Sequence, residues 1–165
     1  MHNFRKRVKS ILILPIIFIS IQCRNTPQES DQNKQEQQNI EAILQSYYQS
    51  MSDRDWASYR RFFSAEATLT TIWTAEGAST PQIHTNTITE FLAQTGEGPD
   101  SQPIFEEKMT KSEITCKGNL AQAWVNYEAK FGSKDSLLEW KGLDLFSFIR
   151  HNDEWKIVSL VFEAE

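Results

Sequence analysis

The sequence predicts an α+β domain in which helices come first and a run of antiparallel hairpins follows. Three observations carry that prediction. An apolar stripe at helical spacing runs from Ile40 to Met51, four β-rich stretches fill the chain after Pro103, and the segment between them is built from loop-forming residues. Helices that precede a meander pack on one face of its sheet.

Ile40, Ile43, Leu44, Tyr47, Tyr48 and Met51 recur at three- and four-residue steps and draw one face of a first helix. Ser52-Asp53-Arg54 ends it. Asp55 is the expected N-cap of a second helix carrying Trp56, Tyr59, Phe62 and Phe63. Ala67 to Thr74 is rich in β-branched residues and too short for a core helix, so it reads as a strand. A loop with Gly77 and Pro81 follows. Asn86 is placed to cap a third, short helix that turns Ile88, Phe91 and Leu92 inward and stops at Gly96. Gly96 to Pro103 is a loop.

Ile104 to Cys116 reads as one strand, with Lys117-Gly118-Asn119 as its turn. In Leu120 to Phe131, Ala121, Ala123, Val125, Tyr127, Ala129 and Phe131 alternate with polar residues, apart from Leu120 and Trp124. Leu137 to Ile149 is apolar on both faces, and His151-Asn152-Asp153 turns the chain before Trp155 to Glu163. If Leu143, Leu145 and Ile149 face the helices, Phe146 and Phe148 point outward. A sheet with one wet face should not show two phenylalanines to water. A second subunit covering that face is the preferred explanation, and a terminal segment folded over it is the alternative.

The N-terminus has a different layout. Arg5, Lys6, Arg7 and Lys9 lead into the apolar run Ile11 to Ile21, and Cys23 follows directly. That is the pattern of a secretory leader with a processing point. The run resembles a bacterial lipobox, although Ile21 and Gln22 stand where small residues are usual. Spanning a bilayer takes roughly 20 apolar residues, and this shorter run is broken by Pro15. The expected organisation is a lipoprotein signal peptide over 1–22, a flexible polar tether over 23–37 and one domain over 38–165. Lipid on Cys23 would hold the protein to a membrane of the cell envelope, outside the cytoplasm.

The leader takes four of the 17 basic residues and none of the 22 acidic ones, leaving 13 against 22 and a net charge of −9. Nucleic acid is therefore not an expected partner, because its binding rests on Lys and Arg neutralising phosphates. With Cys23 lipidated, Cys116 has no disulfide partner and reads as a small buried side chain. His84 and His151 are the only mature histidines and lie far apart, so neither a metal site nor a cofactor is expected.

The order of Tyr47 through Asp55-Trp56, then Phe63-Ser64-Ala65-Glu66-Ala67-Thr68, and finally Leu143-Asp144 to Trp155-Lys156-Ile157 resembles the nuclear-transport-factor-2-like superfamily, which includes SnoaL-like proteins and ketosteroid isomerase. The resemblance spans about residues 40–162. It implies a cone, with N-terminal helices held in the concave face of a strongly curved antiparallel sheet around a pocket. It also implies homodimers through the outer sheet face, which agrees with Phe146 and Phe148 lying outward.

The resemblance puts the isomerase tyrosine on Tyr47, the base on Thr71 and the second oxyanion donor on Ser147. A threonine hydroxyl is no base near neutral pH, so isomerase chemistry of that kind is not expected. In the same register Asp144 falls outside the cone, and a one-residue bulge would bring it inside. The expected function is a lipid-anchored, non-catalytic module holding a small apolar molecule among Tyr47, Phe63, Leu69, Thr71, Trp73, Phe91, Tyr127 and Ser147. One alternative is a protein-interaction module with a collapsed pocket. The other is an isomerase-, dehydratase- or cyclase-like enzyme using Tyr47 with Asp144 or Glu128.

Overall fold

A computed structural model describes residues 27–74 and 79–164. The expected leader, its expected processing point and Cys23 lie outside the described residues. The elements run α1 (Pro27–Ser52), α2 (Trp56–Arg61), β1 (Phe63–Trp73), β2 (Gln82–Thr87), α3 (Ile88–Ala93), β3 (Ile104–Lys117), β4 (Leu120–Ser133), β5 (Ser136–His151) and β6 (Glu154–Ala164). The six strands form one curved sheet in the order β2-β1-β6-β5-β4-β3, antiparallel throughout except where β1 meets β6. The α+β cone is thus the observed fold.

α1 reaches further toward the N-terminus than its apolar stripe. Residues 27–37, expected as tether, are helical. Gln, Glu and Lys are good helix formers, and extending a helix already nucleated by packing costs little. The extension is also tied down. Glu36 accepts hydrogen bonds from Arg150 (2.5 Å) and from the Trp155 indole (2.7 Å), and the Gln37 amide donates to the Ile114 carbonyl. Asp55 caps α2 as expected, accepting from the Ser58 amide at 3.0 Å. The α3 cap is Thr87, one residue after Asn86, and Glu90 completes a capping box with it. β2 was read as loop because none of its residues is buried, so no apolar alternation marks it.

The hairpins set which face each strand residue takes. Ser133 pairs with Ser136 across the β4–β5 turn, so Ala121 lies opposite Phe148, Ala123 opposite Phe146 and Val125 opposite Asp144. All six are buried on the concave side. The expected outward placement of Phe146 and Phe148 is therefore incorrect. The small β4 alanines leave volume that the two facing phenylalanines fill, and Phe146 stacks edge-on against Tyr47 at 5.1 Å. Leu143, Leu145, Ser147 and Ile149 take the convex face instead.

Candidate functional site

Between the helices and the concave sheet lies a cavity of about 290 Å³. Tyr47 and Met51 of α1, Tyr59 of α2 and Phe91 of α3 form its helical wall. Leu69 and Thr71 of β1, with Leu160 and Phe162 of β6, form one sheet wall. Tyr127 of β4, with Trp140 and Asp144 of β5, forms the other, and Glu107 of β3 closes it. Gly142 makes room for Tyr127, since a Cβ on Gly142 would stand 2.3 Å from that phenol ring.

Asp144 is only 3% exposed. Its Oδ2 accepts a hydrogen bond from the Tyr48 hydroxyl, and among the described residues no side chain donates to its other oxygen. Burial raises the carboxyl from 3.8 to about 7, against the smaller lowering effect of the Tyr48 hydrogen bond.

Glu107 reaches the same cavity through a bulge. β3 pairs regularly with β4 from Lys117 back to Lys111, skips Thr110, and resumes at Met109 opposite Tyr127. The extra residue reverses the alternation, so Glu107 faces in, opposite Ala129. Ser52, the last residue of α1, clamps this backbone by donating to the Glu107 carbonyl (2.8 Å) and accepting from its amide (2.9 Å). Burial, with the Asp144 charge as the lesser cause, raises Glu107 from 4.5 to about 8. The Tyr59 hydroxyl donates to the Tyr47 oxygen at 3.2 Å, and burial pushes both phenols up, so both remain neutral hydrogen-bonding groups.

Of the residues expected to bind ligand, Tyr47, Leu69, Thr71, Phe91 and Tyr127 come together in this cavity. Phe63 sits behind it, packed against Tyr59 at 5.1 Å and Tyr47 at 6.0 Å. Ser147 is on the convex face between Gln122 and Ser159, because β5 alternates in the opposite phase to the one expected. The Trp73 side chain lies outside the described residues. Glu128 also faces outward, ion-paired with Lys141 at 3.1 Å, and cannot serve a pocket chemistry.

Asp144 is inside the cone. The unbroken alternation of Gly142, Asp144, Phe146 and Phe148 puts it there, without the bulge in its own strand that was invoked. Sequence reasoning missed Glu107, Tyr48 as the partner of Asp144, and Trp140. The β4–β5 turn was a usable signal for Asp144 and Trp140. Nothing in the sequence marks the bulge that turns Glu107 inward.

A family model described as "Putative lumazine-binding" matches residues 35–163. No curated protein is significantly similar to the chain. Solved structures that resemble it include an NTF2-like protein of unknown function from Shewanella baltica, with 17% identity, a TM-score of 0.58, and 80% of this chain and 95% of that one covered. A "putative dehydratase" of the NTF2-like family from Streptomyces avermitilis aligns with 11% identity and a TM-score of 0.63, over 80% and 97% of the two chains. The association domain of C. elegans CaMKII aligns with 13% identity and a TM-score of 0.59, over 80% and 98%. At these identities the likeness is one of fold alone.

Proposed function

From the premise that the chain belongs to the family described as "Putative lumazine-binding", we propose that it is a small-molecule-binding module whose ligand sits in the cone. The observation that carries this reading is the aromatic-walled cavity of about 290 Å³, roomy enough for a one- or two-ring molecule. An open cavity speaks against a collapsed cone serving only protein contacts. A planar heteroaromatic such as lumazine is the first ligand to try, since the rings of Tyr59, Phe91, Tyr127 and Phe162 offer flat apolar surfaces. The module is tethered to the cell envelope by lipid on Cys23 and self-associates through the convex sheet face. Trp124 (48% exposed), Leu145 and Val161 take the place of Phe146 and Phe148 in that contact.

Native mass spectrometry of the chain from residue 28 to 165, purified from its host, tests the reading together with a lumazine fluorescence titration. Co-purified small-molecule mass or saturable quenching supports it. A clean mass with no quenching, by lumazine or by other planar heterocycles, overturns it. The same spectrum reports the dimer, and membrane fractionation of Cys23→Ala against the parent chain reports the anchor.

A catalytic reading has one observation in its favour. Asp144 is a buried carboxyl raised to about 7, lines the cavity and is held by a second polar group, Tyr48. Such a group can take or give a proton near neutral pH, as an isomerase or dehydratase step requires. Asp144→Asn separates the two: in a binding module it changes ligand affinity and nothing else, whereas an enzyme loses turnover of a ligand that is still bound.

A further inference from the structure

The charge of the cavity narrows its ligand. Among the described residues its lining holds two carboxyl side chains, Glu107 and Asp144, and no Lys, Arg or His. Among the described residues the other titratable groups facing this pair are phenols, Tyr47 and Tyr48 from α1, Tyr59 from α2 and Tyr127 from β4; β1, β6 and α3 contribute none. Among the described residues no side chain hydrogen-bonds the Glu107 carboxyl, and Tyr48 occupies only one oxygen of Asp144. Three of the four carboxyl oxygens are thus left for a ligand.

We infer that the cavity selects a small aromatic molecule carrying a cationic N–H edge, an amidinium or a protonated ring nitrogen, with Glu107 as the specificity-determining contact. The inference rests on the binding reading above and deepens it. An anionic ligand would enter an aromatic box with two acids and no counter-charge. A purely apolar ligand would seal the unpartnered oxygens away from water without replacing the lost hydrogen bonds, which is unfavourable for each group. A cationic N–H edge does the opposite. It donates charge-assisted hydrogen bonds to the carboxylates, and its ring lies among aromatic faces that favour a cation. Burial has raised both acids toward neutrality, so a cation also returns them to the ionised form.

The test uses three probes of nearly one shape and different charge, benzamidine, benzamide and benzoate, titrated into the full chain and followed by NMR shifts. At pH 8 benzamidine should bind at least about tenfold tighter than benzamide, with benzoate weaker still. Its affinity should rise from pH 6 to 8.5 as the carboxyls ionise, a change that benzamide does not show. Glu107→Gln should remove most of the preference for benzamidine over benzamide; Asp144→Asn, the second variant, should weaken the preference in the same direction. Equal binding of benzamidine and benzamide, stronger binding of benzoate, or an unchanged preference in both variants overturns the inference. If lumazine or benzamide binds without any cation preference, the binding reading stands and this inference alone falls. If no probe binds at all, both fall.

Discussion

Glu107 and Glu113 lie on the same strand, an even number of residues apart, and regular alternation would put them on one face. The bulge at Thr110 sends them to opposite sides of the sheet. Glu113 stands in solvent with Lys111 Nζ at 2.6 Å, and that lysine lowers its carboxyl below the usual value. Glu107 lines the aromatic-walled cavity and is raised to about 8. Two identical side chains thus have opposite chemistry, and the difference comes from which medium the backbone delivers each one to. The same contrast holds along β5, where Asp144 faces the core and Ser147 faces out.

The contrast between faces can be broken most severely in the concave core. Phe146→Ala should cost about 3–5 kcal/mol in urea unfolding, because the facing Ala123 cannot fill the space. Its convex neighbour, Leu145→Ala, should cost about 1.5 kcal/mol or less. Equal losses would mean that the two faces are not packed differently.

The next effect is on pH dependence. Glu107 and Asp144 keep protons in the folded chain at pH values where the unfolded chain has released them. Their contribution to stability is therefore fully present below about pH 4. It is lost as pH rises through about 7 for Asp144 and about 8 for Glu107. Each group can add a slope of up to about 1.4 kcal/mol per pH unit within its window. Thermal unfolding from pH 4 to 9 should show the midpoint falling, and Asp144→Asn should flatten the part of the fall below about pH 7. An unchanged profile in the variant would show that Asp144 titrates normally.

Tyr48→Phe should act more narrowly. The Tyr48 hydrogen bond lowers Asp144, so its removal should move the Asp144 midpoint above about 7 in carbon-detected NMR titration. A downward move would show that the hydroxyl favours the neutral acid. Glu113→Gln should have the smallest effect, leaving the unfolding midpoint within its measurement error, as an exposed ion pair warrants. A loss comparable to that of Phe146→Ala would remove the distinction between the two glutamates.

Much of the fold was legible because its signals are local. The helical spacing from Ile40 to Met51, the Asp55 cap and the turns at Gly118 and at Asn152-Asp153 each specify a few neighbouring residues, and they locate the end of α1, the start of α2 and the hairpins of β3 to β6 within a few positions. β2 was not legible because an edge strand exposed on both faces carries no burial pattern. The face of β5 was misread although the information was present. A two-residue turn between Ser133 and Ser136 places Phe146 and Phe148 opposite alanines, and matching large against small residues across the hairpin would have turned them inward. Of the residues expected to bind ligand, Tyr47, Leu69, Thr71, Phe91 and Tyr127 accordingly line one cavity, whereas Ser147 lies on the convex face.

The sequence by itself determined an α+β chain, the order of its elements apart from β2, the cap of α2, the hairpin turns and an excess of acid over base after residue 22. These follow from local backbone preference, apolar periodicity and composition. Only the tertiary structure decided which acids matter. The bulge at Thr110, clamped beside Ser52, and the phase of β5 against the alanines of β4 place Glu107 and Asp144 in one apolar cavity. A carboxyl's acidity depends on its surroundings more than on its identity, and those surroundings exist only once helix and sheet have closed around it.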